Sequence, residues 1–329
     1  MTGAPWKRFP PILGYCLLSL LLALSILLGL LLGDVDMSPR EILQMLYLGP
    51  FGDTDEIFMQ TIVWRIRLPR VAAAAISGAI LAASGVAFQS VLRNPLAEPY
   101  TLGVASGAAF GAACAILASV PWVTAAAFIG GICTLFFVWA LSKRGNDLDI
   151  SRVILAGVIV GSILSAWLTL LKAIAGDQVS AIIVWLLGSF SAASWNDALP
   201  LSLAFFVILF VCVSNYKEMD IMASGADAAS LGLDVSRKRL FILGGASLAV
   251  SFVVSRFGII GFVGLVAPHL LRILFGPSHS KLIPLSLLGG AALLSAADTT
   301  AKMWNELPAG ILTVLIGGPV FCVILWKRK

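Results

Sequence analysis

The sequence predicts an all-α polytopic membrane protein with about ten transmembrane helices, and three observations lead there. Apolar residues make up 59% of the chain and charged residues 12%, against roughly 25% charged in an average soluble domain. The mean hydropathy is +0.99, and the apolar residues come in runs near the ~20 that a helix needs to cross a bilayer. No polar stretch between runs is much longer than about 25 residues, too few for an independently stable core, so residues 1–329 are expected to form a single transmembrane domain.

The runs fall at about 12–33, 69–92, 100–118, 121–142, 152–175, 198–215, 238–256, 259–275, 282–301 and 308–326. Lys7 and Arg8 before the first run give it the outline of a signal peptide. The run exceeds the 7–15 residues of a signal core and no small-residue cleavage pattern follows, so a retained first span is expected. The segment 34–64 is acidic and should lie outside the membrane, with a short helix capped by Ser38 and carrying Pro39 at its first position.

Arg65, Arg67 and Arg70 precede the uncharged run Val71 to Leu92. Its Ala, Gly and Ser content lets helix backbones approach closely, so its neighbours are expected to be other helices more than lipid. In Arg93-Asn94-Pro95-Leu96-Ala97-Glu98-Pro99 two prolines break that helix. Composition leaves two readings open: a break that lines a cavity or its inner mouth, or an ordinary loop. The loop 142–151 turns at Gly145-Asn146, and Ala181 to Phe190 is too short to cross. It should lie flat on the outer surface or tuck between spans.

Residues 216–239 read as two short helices, about 218–223 and 226–231, stopped by Gly225 and Gly232. Ala226, Ala228, Ala229 and Leu231 make a small apolar knob. It is either a docking element for a soluble partner or a surface helix lying among lipid headgroups. From Arg256 to Arg272 glycine spacing and Pro268 repeat the outline of the earlier break, the pointer to an inverted-repeat transporter. Fifteen of the 22 Lys and Arg fall in the ends and loops on the N-terminal side, which puts both termini in the cytoplasm.

Several classes drop out. The chain has no Gly-x-x-x-x-Gly-Lys-Ser/Thr loop for ATP and no His-Glu-x-x-His pair. His269 and His279 stand ten residues apart, and His269 reads as a helix-packing residue. Cys16, Cys114, Cys133, Cys212 and Cys322 all lie in apolar runs, without metal or redox spacing. No metal site built from side chains is expected. The basic residues are scattered among short loops, which excludes nucleic-acid binding.

A set of ordered motifs carries a resemblance. They are Arg67-Leu68-Pro69-Arg70, Asn94-Pro95-Leu96-Ala97-Glu98-Pro99 with Leu102-Gly103-Val104, Ala228 with Leu231-Gly232, and the stretch Gly261 to Arg272. Ala297-Asp298 and Glu306-Leu307-Pro308 with Gly310 complete it. From about residue 38 to its end the chain resembles the FecCD family, the permease subunits of type II ABC importers for vitamin B12, haem and ferric siderophores. The resemblance implies a BtuC-like permease fold with short broken helices, in a multi-pass protein of the inner cell membrane. It also implies a second permease copy, two cytoplasmic ABC ATPase subunits that hold ATP and Mg, and a periplasmic or extracellular substrate-binding protein. No cofactor is expected on this chain itself.

Residue by residue, the resemblance assigns Arg67, Arg70 and Lys302 to docking of the binding protein. Met222, Ser224, Gly225, Asp227, Ala228, Leu231 and Gly232 fall to ATPase coupling, which decides for the docking reading of the knob. Asn94, Pro95, Leu96, Asp149, Ile150 and Ser151 fall to the gate. Three departures stand out. Lys302 takes a position where arginine is frequent and lacks its planar fork, Ser224 stands where relatives carry glycine, and Asp149 and Ile150 replace small hydroxyl residues. The expected function is an ATP-driven importer subunit with its pathway at the dimer interface. The alternative is a secondary transporter or channel acting alone, which needs buried ionisable residues; Glu98, Lys172, Asp298 and His269 are the candidates. No residue names the cargo; iron chelates are the commoner one in the family.

Overall fold

The computed structural model describes residues 9–52, 56–144, 147–225 and 234–326. α1 (Pro11–Leu31) starts on proline, whose missing donor costs nothing in a first helical turn. In α2 (Pro39–Leu48) the Ser38 hydroxyl accepts from the Glu41 N–H at 3.3 Å, and the Glu41 carboxylate accepts from the Ser38 N–H at 2.7 Å. This is the cap the sequence predicts, closed into a reciprocal box. α3 (Ile57–Thr61) continues through a π-helical stretch, Ile62–Arg67, into α4 (Leu68–Val91), a rod of 35 residues from Ile57 to Val91.

α5 (Val104–Leu117) and α6 (Val123–Ser142) form an antiparallel pair. A hairpin of β1 (Lys143–Arg144) and β2 (Asp147–Leu148) leads to α7 (Ile150–Ile174). Then come α8 (Val179–Leu186), α9 (Ala198–Ser214), α10 (Tyr216–Ser224) and α11 (Val235–Phe257). α12 (Val263–Phe275), α13 (His279–Met303) and α14 (Ala309–Trp326) complete the chain. Every one of the ten predicted runs holds a helix, but two are shorter than their apolar stretch. Around Pro99 the run opens as a 3-10 turn, Pro99–Leu102, and α5 begins only after Gly103. The other opens with residues 259–262 outside any helix, and Phe262, at φ +68°, caps α12.

α4 is the axis of the molecule. Along the rod that contains it 83% of the most apolar window is buried, against 22% for α1 and α7, so α4 is surrounded by helices and α1 and α7 face outward. The small residues read from the sequence explain how. A Cβ added to Gly78 would lie 2.2 Å from the Gly290 carbonyl of α13, and one on Gly85 would lie 1.8 Å from the Gly264 carbonyl of α12. Glycine alone permits these backbone approaches.

The chain ends define two faces. On the terminal face the Phe9 N–H donates to the Leu274 carbonyl, Arg93 meets α10, and α10 meets the start of α13. The opposite face carries the 32–52 and 56–61 segments, the α8–α9 loop and the α13–α14 turn. Arg256 of α11 pairs there with Asp197 and donates to the Ala192 carbonyl at 3.1 Å.

Candidate functional site

Three places in the fold carry the polar side chains that the apolar bulk has to accommodate. The first is the arginine cluster on the opposite face. The π-helical stretch widens the turn just before α4, and such bulges re-aim side chains relative to a straight helix. Arg67 is turned inward and is 2% exposed. It donates to the carbonyls of Leu30 at 2.6 Å and Leu31 at 3.0 Å, and also to that of Val35. These are the last carbonyls of α1 and its exit turn, which have no partner within the helix.

Arg70, also buried, forms a fork on Asp298, Nε to Oδ2 at 2.9 Å and Nη2 to Oδ1 at 3.2 Å, and its Nη1 reaches Glu306 at 2.6 Å. Asn305 and Glu306 both have positive φ, +50° and +55°. Local backbone strain therefore accompanies the presentation of Glu306 to Arg70. Lys302 donates to the Leu32 carbonyl at 2.6 Å. The cations assigned to docking thus donate to the chain itself and hold α1, α4 and α13 together. The exposed cation beside this motif is Arg65, which the resemblance did not assign to docking.

The second place lies inside the bundle. After Arg93, at φ +50°, the Asn94 side chain accepts from the Leu96 N–H at 2.9 Å. This makes a turn whose Pro95 and Leu96 are exposed. The chain then re-enters: Ala97 is buried, and Pro99 lies against Gly264. The Tyr100 hydroxyl donates to the Ile260 carbonyl at 2.8 Å, and the Glu98 carboxylate accepts from the Phe262 N–H. At about 1.5 Å per residue, α5 with 14 residues and α12 with 13 span only about 20 Å each. Their N-termini meet in the interior and the helices run to opposite faces. The proline break is thus an exposed turn followed by a re-entrant segment, Ala97 to Leu102, that packs inside the bundle.

The third place is the terminal face. Asp149 caps α7, its carboxylate accepting from the N–H groups of Ser151 at 2.9 Å and Arg152 at 3.4 Å. Ile150 opens that helix, and the 99–102 turn packs on it, with Thr101 close to Gly157. Asn94, Pro95 and Leu96 therefore share an end of the molecule with Asp149, Ile150 and Ser151. α10 lies on this face with Met219 and Met222 buried beneath it, Met222 at 1% exposure. Met222 thus anchors the helix, and Arg93 Nε donates to its carbonyl at 2.8 Å.

Lys238 of α11 reaches Asn215 at 2.9 Å and Glu218 at 2.8 Å. Burial raises the Glu218 carboxyl, but the hydrogen bond and charge of Lys238 outweigh it and hold the group below the usual range. Ser224 and Gly225 are exposed at the end of α10. Asp227, Ala228, Leu231 and Gly232 lie outside the described residues. Among the described residues no three His, Cys, Asp or Glu side chains converge as metal ligands would.

Broken half-helices meeting inside a bundle, beneath a short helix bound across one face, mark a transport subunit, and comparison with known proteins agrees. The model of the FecCD transport family matches residues 21–327. The chain belongs to the FecCD transport family. It is 40% identical to the cobalamin import system permease protein BtuC of Halobacterium salinarum, over 82% of this chain and 74% of that one. It is 34% identical to the hemin transport system permease protein HmuU of Yersinia pestis, over 81% and 84%. A solved metal-chelate-type ABC transporter in an inward-facing conformation superposes with a TM-score of 0.83 at 30% identity, covering 97% of this chain and all of that one. As a FecCD protein the chain is a multi-pass permease subunit of an ABC importer. Asp298, Glu306, Ser90, Asp220 and His279 are polar partners that sequence reasoning did not place together, because each pair is separated by scores of residues along the chain.

Proposed function

We propose that this FecCD permease works as one of two copies in the inner cell membrane, with its terminal face in the cytoplasm, and imports a metal chelate by borrowing force from ABC ATPases. The observation that carries the reading is the meeting of α5 and α12 with Glu98 between them, beneath a cytoplasmic helix, α10, held by α4, α11 and α13. Two half-helices of opposite direction provide a midpoint about which the bundle can open to either side. The ATPases hold ATP and Mg, this chain binds neither, and their closure pushes α10 and the adjoining 226–232 segment.

A binding protein delivers the chelate on the opposite face, where Arg65 is the exposed member of the arginine motif. Relatives named for cobalamin, haemin and iron chelatin support a bulky chelate as cargo, and an iron chelate is the first to test. The second copy covers the exposed apolar faces of α7 (Leu155, Ile159, Ile163) and α14 (Leu315, Ile316, Val320), and the pathway runs between the copies. Asn94, Leu96, Asp149 and Ile150 close its cytoplasmic end.

The secondary-transporter alternative loses two of its four ionisable candidates to structural duties: Asp298 holds Arg70, and Glu98 holds the start of α12. Uptake of a ferric chelate into vesicles should persist when an uncoupler collapses the proton gradient and ATP is maintained. It should stop when ATP hydrolysis is blocked. Uptake that follows the gradient instead would overturn the importer mechanism.

A further inference from the structure

The antiparallel helices α4 and α13 are fastened to each other at both ends and in the middle. At the opposite face the link is Arg70 to Asp298 and Glu306; halfway it is the backbone approach of Gly78 and Gly290. At the terminal face, about 30 Å along α4 from Arg70 at 1.5 Å per residue, the Ser90 Oγ lies 2.5 Å from His279 Nε2. His279 Nδ1 is 2.6 Å from Asp220 Oδ1, and the same oxygen accepts the His279 backbone N–H at 3.0 Å.

An ionised carboxylate only accepts, so Nδ1 carries a proton toward Asp220, while the Ser90 hydroxyl lies between His279 Nε2 and the Val86 carbonyl of its own helix, 2.6 Å away. The order Ser, His, Asp is that of a hydrolase triad, but Ser90 and His279 are each 1% exposed, so no substrate carbonyl reaches the hydroxyl. What the three residues do is join three helices. Ser278, at the cap of α13, makes no side-chain cap bond. Asp220 of α10 takes over that duty and places its charge at the positive end of a 25-residue helix.

We propose that α4 and α13 move as one rigid strut between the cytoplasmic helix α10 and the arginine cluster of the opposite face, and that Asp220, His279 and Ser90 are the positioning residues that clasp α10 to it. The strut rests on the importer reading above, since α10 needs an ATPase to push it. Arg93, in the turn that follows α4, adds a second tie to α10 through the Met222 carbonyl, so displacement of α10 cannot be absorbed by α10 alone. Through the same strut the docking of a binding protein beside Arg70 and Glu306 reaches the ATPase.

The test uses the whole permease with its ATPase in lipid nanodiscs, measuring ATP hydrolysis with and without saturating binding protein. Asp220→Ala and His279→Ala should still copurify with the ATPase but lose about five- to tenfold of the stimulation, the low end of ordinary coupling free energies. Asp220→Asn keeps an acceptor oxygen and should retain the stimulation. Ser90→Ala removes one hydroxyl, guards against failure of the larger changes to fold, and should lose at least half.

Assembled variants stimulated like wild type, with or without a lower unfolding temperature, would leave the three residues a structural role and overturn the strut. So would an Asp220→Asn protein as defective as the Asp220→Ala one. A wild type that associates with no ATPase overturns the importer reading and the strut together, and the wild-type control separates that outcome from the others.

Discussion

Arg67 and Arg70 show how one residue type in one motif can serve two purposes. Both are buried, Arg67 bonded to carbonyls and Arg70 to carboxylates, whereas Arg65 is exposed. Removing one partner of a buried pair leaves an uncompensated charge, at about 3–5 kcal/mol. Arg70→Ala should therefore lower the unfolding temperature of the detergent-purified protein steeply, and Arg70→Lys should rescue it only in part because the fork on Asp298 is lost. Arg65→Glu should leave that temperature unchanged. In surface-binding measurements it should slow association of the binding protein about tenfold, the behaviour of a rim charge.

Glu218 gives a pH prediction with a definite sign. Its carboxyl is held below the ordinary value of 4.5, so the stabilisation it gains from Lys238 is complete above that value and is lost as pH falls through the lower, folded one. Hydrogen exchange in α10 should accelerate on acidification below about pH 4.5 and should lose that dependence in Glu218→Gln. Which cations were free could not be read from the letters Arg-Leu-Pro-Arg. The π-helical turn that rotates Arg67 inward is a tertiary outcome.

At the scale of elements, the crossing of α4 with α12 and α13 depends on glycine at the contacts. A Cβ on Gly85 would overlap the Gly264 carbonyl, and backbone on both sides cannot yield without separating the helices. Gly85→Val should cost more than the 1–3 kcal/mol of ordinary overpacking. It should appear as loss of folded protein on size-exclusion chromatography, while Gly49→Ala, whose added carbon meets nothing within 4 Å but sits at φ +75°, should cost far less. The run Val71 to Leu92 already announced close helix packing by its Ala, Gly and Ser content. The partners it packs against were not legible, because they lie about 200 residues away in the chain. The proline break was legible as a break. Its re-entry was not, since that depends on Tyr100 and Glu98 finding the 260–262 segment.

In the importer proposed above, the whole molecule works only if force applied on one face reaches the other. On the importer reading, bulky charged replacements in the 226–232 segment, such as Ala228→Arg, should reduce ferric-chelate uptake to near zero while the protein still inserts. Normal uptake in that variant would remove the ATPase from the mechanism.

Ten apolar runs and their order, the cap at Ser38, the break at Pro95 and Pro99 and membership of the FecCD family were all determined by the sequence alone. Hydropathy, caps and prolines act on neighbours within a few residues, and motifs are themselves strings of letters. Only the tertiary structure decided which buried charges neutralise each other and how α4, α10 and α13 are tied into one body. In an apolar interior a charge must find whichever counter-charge the packing of the helices brings within about 3 Å, and that proximity is a property of the assembled bundle.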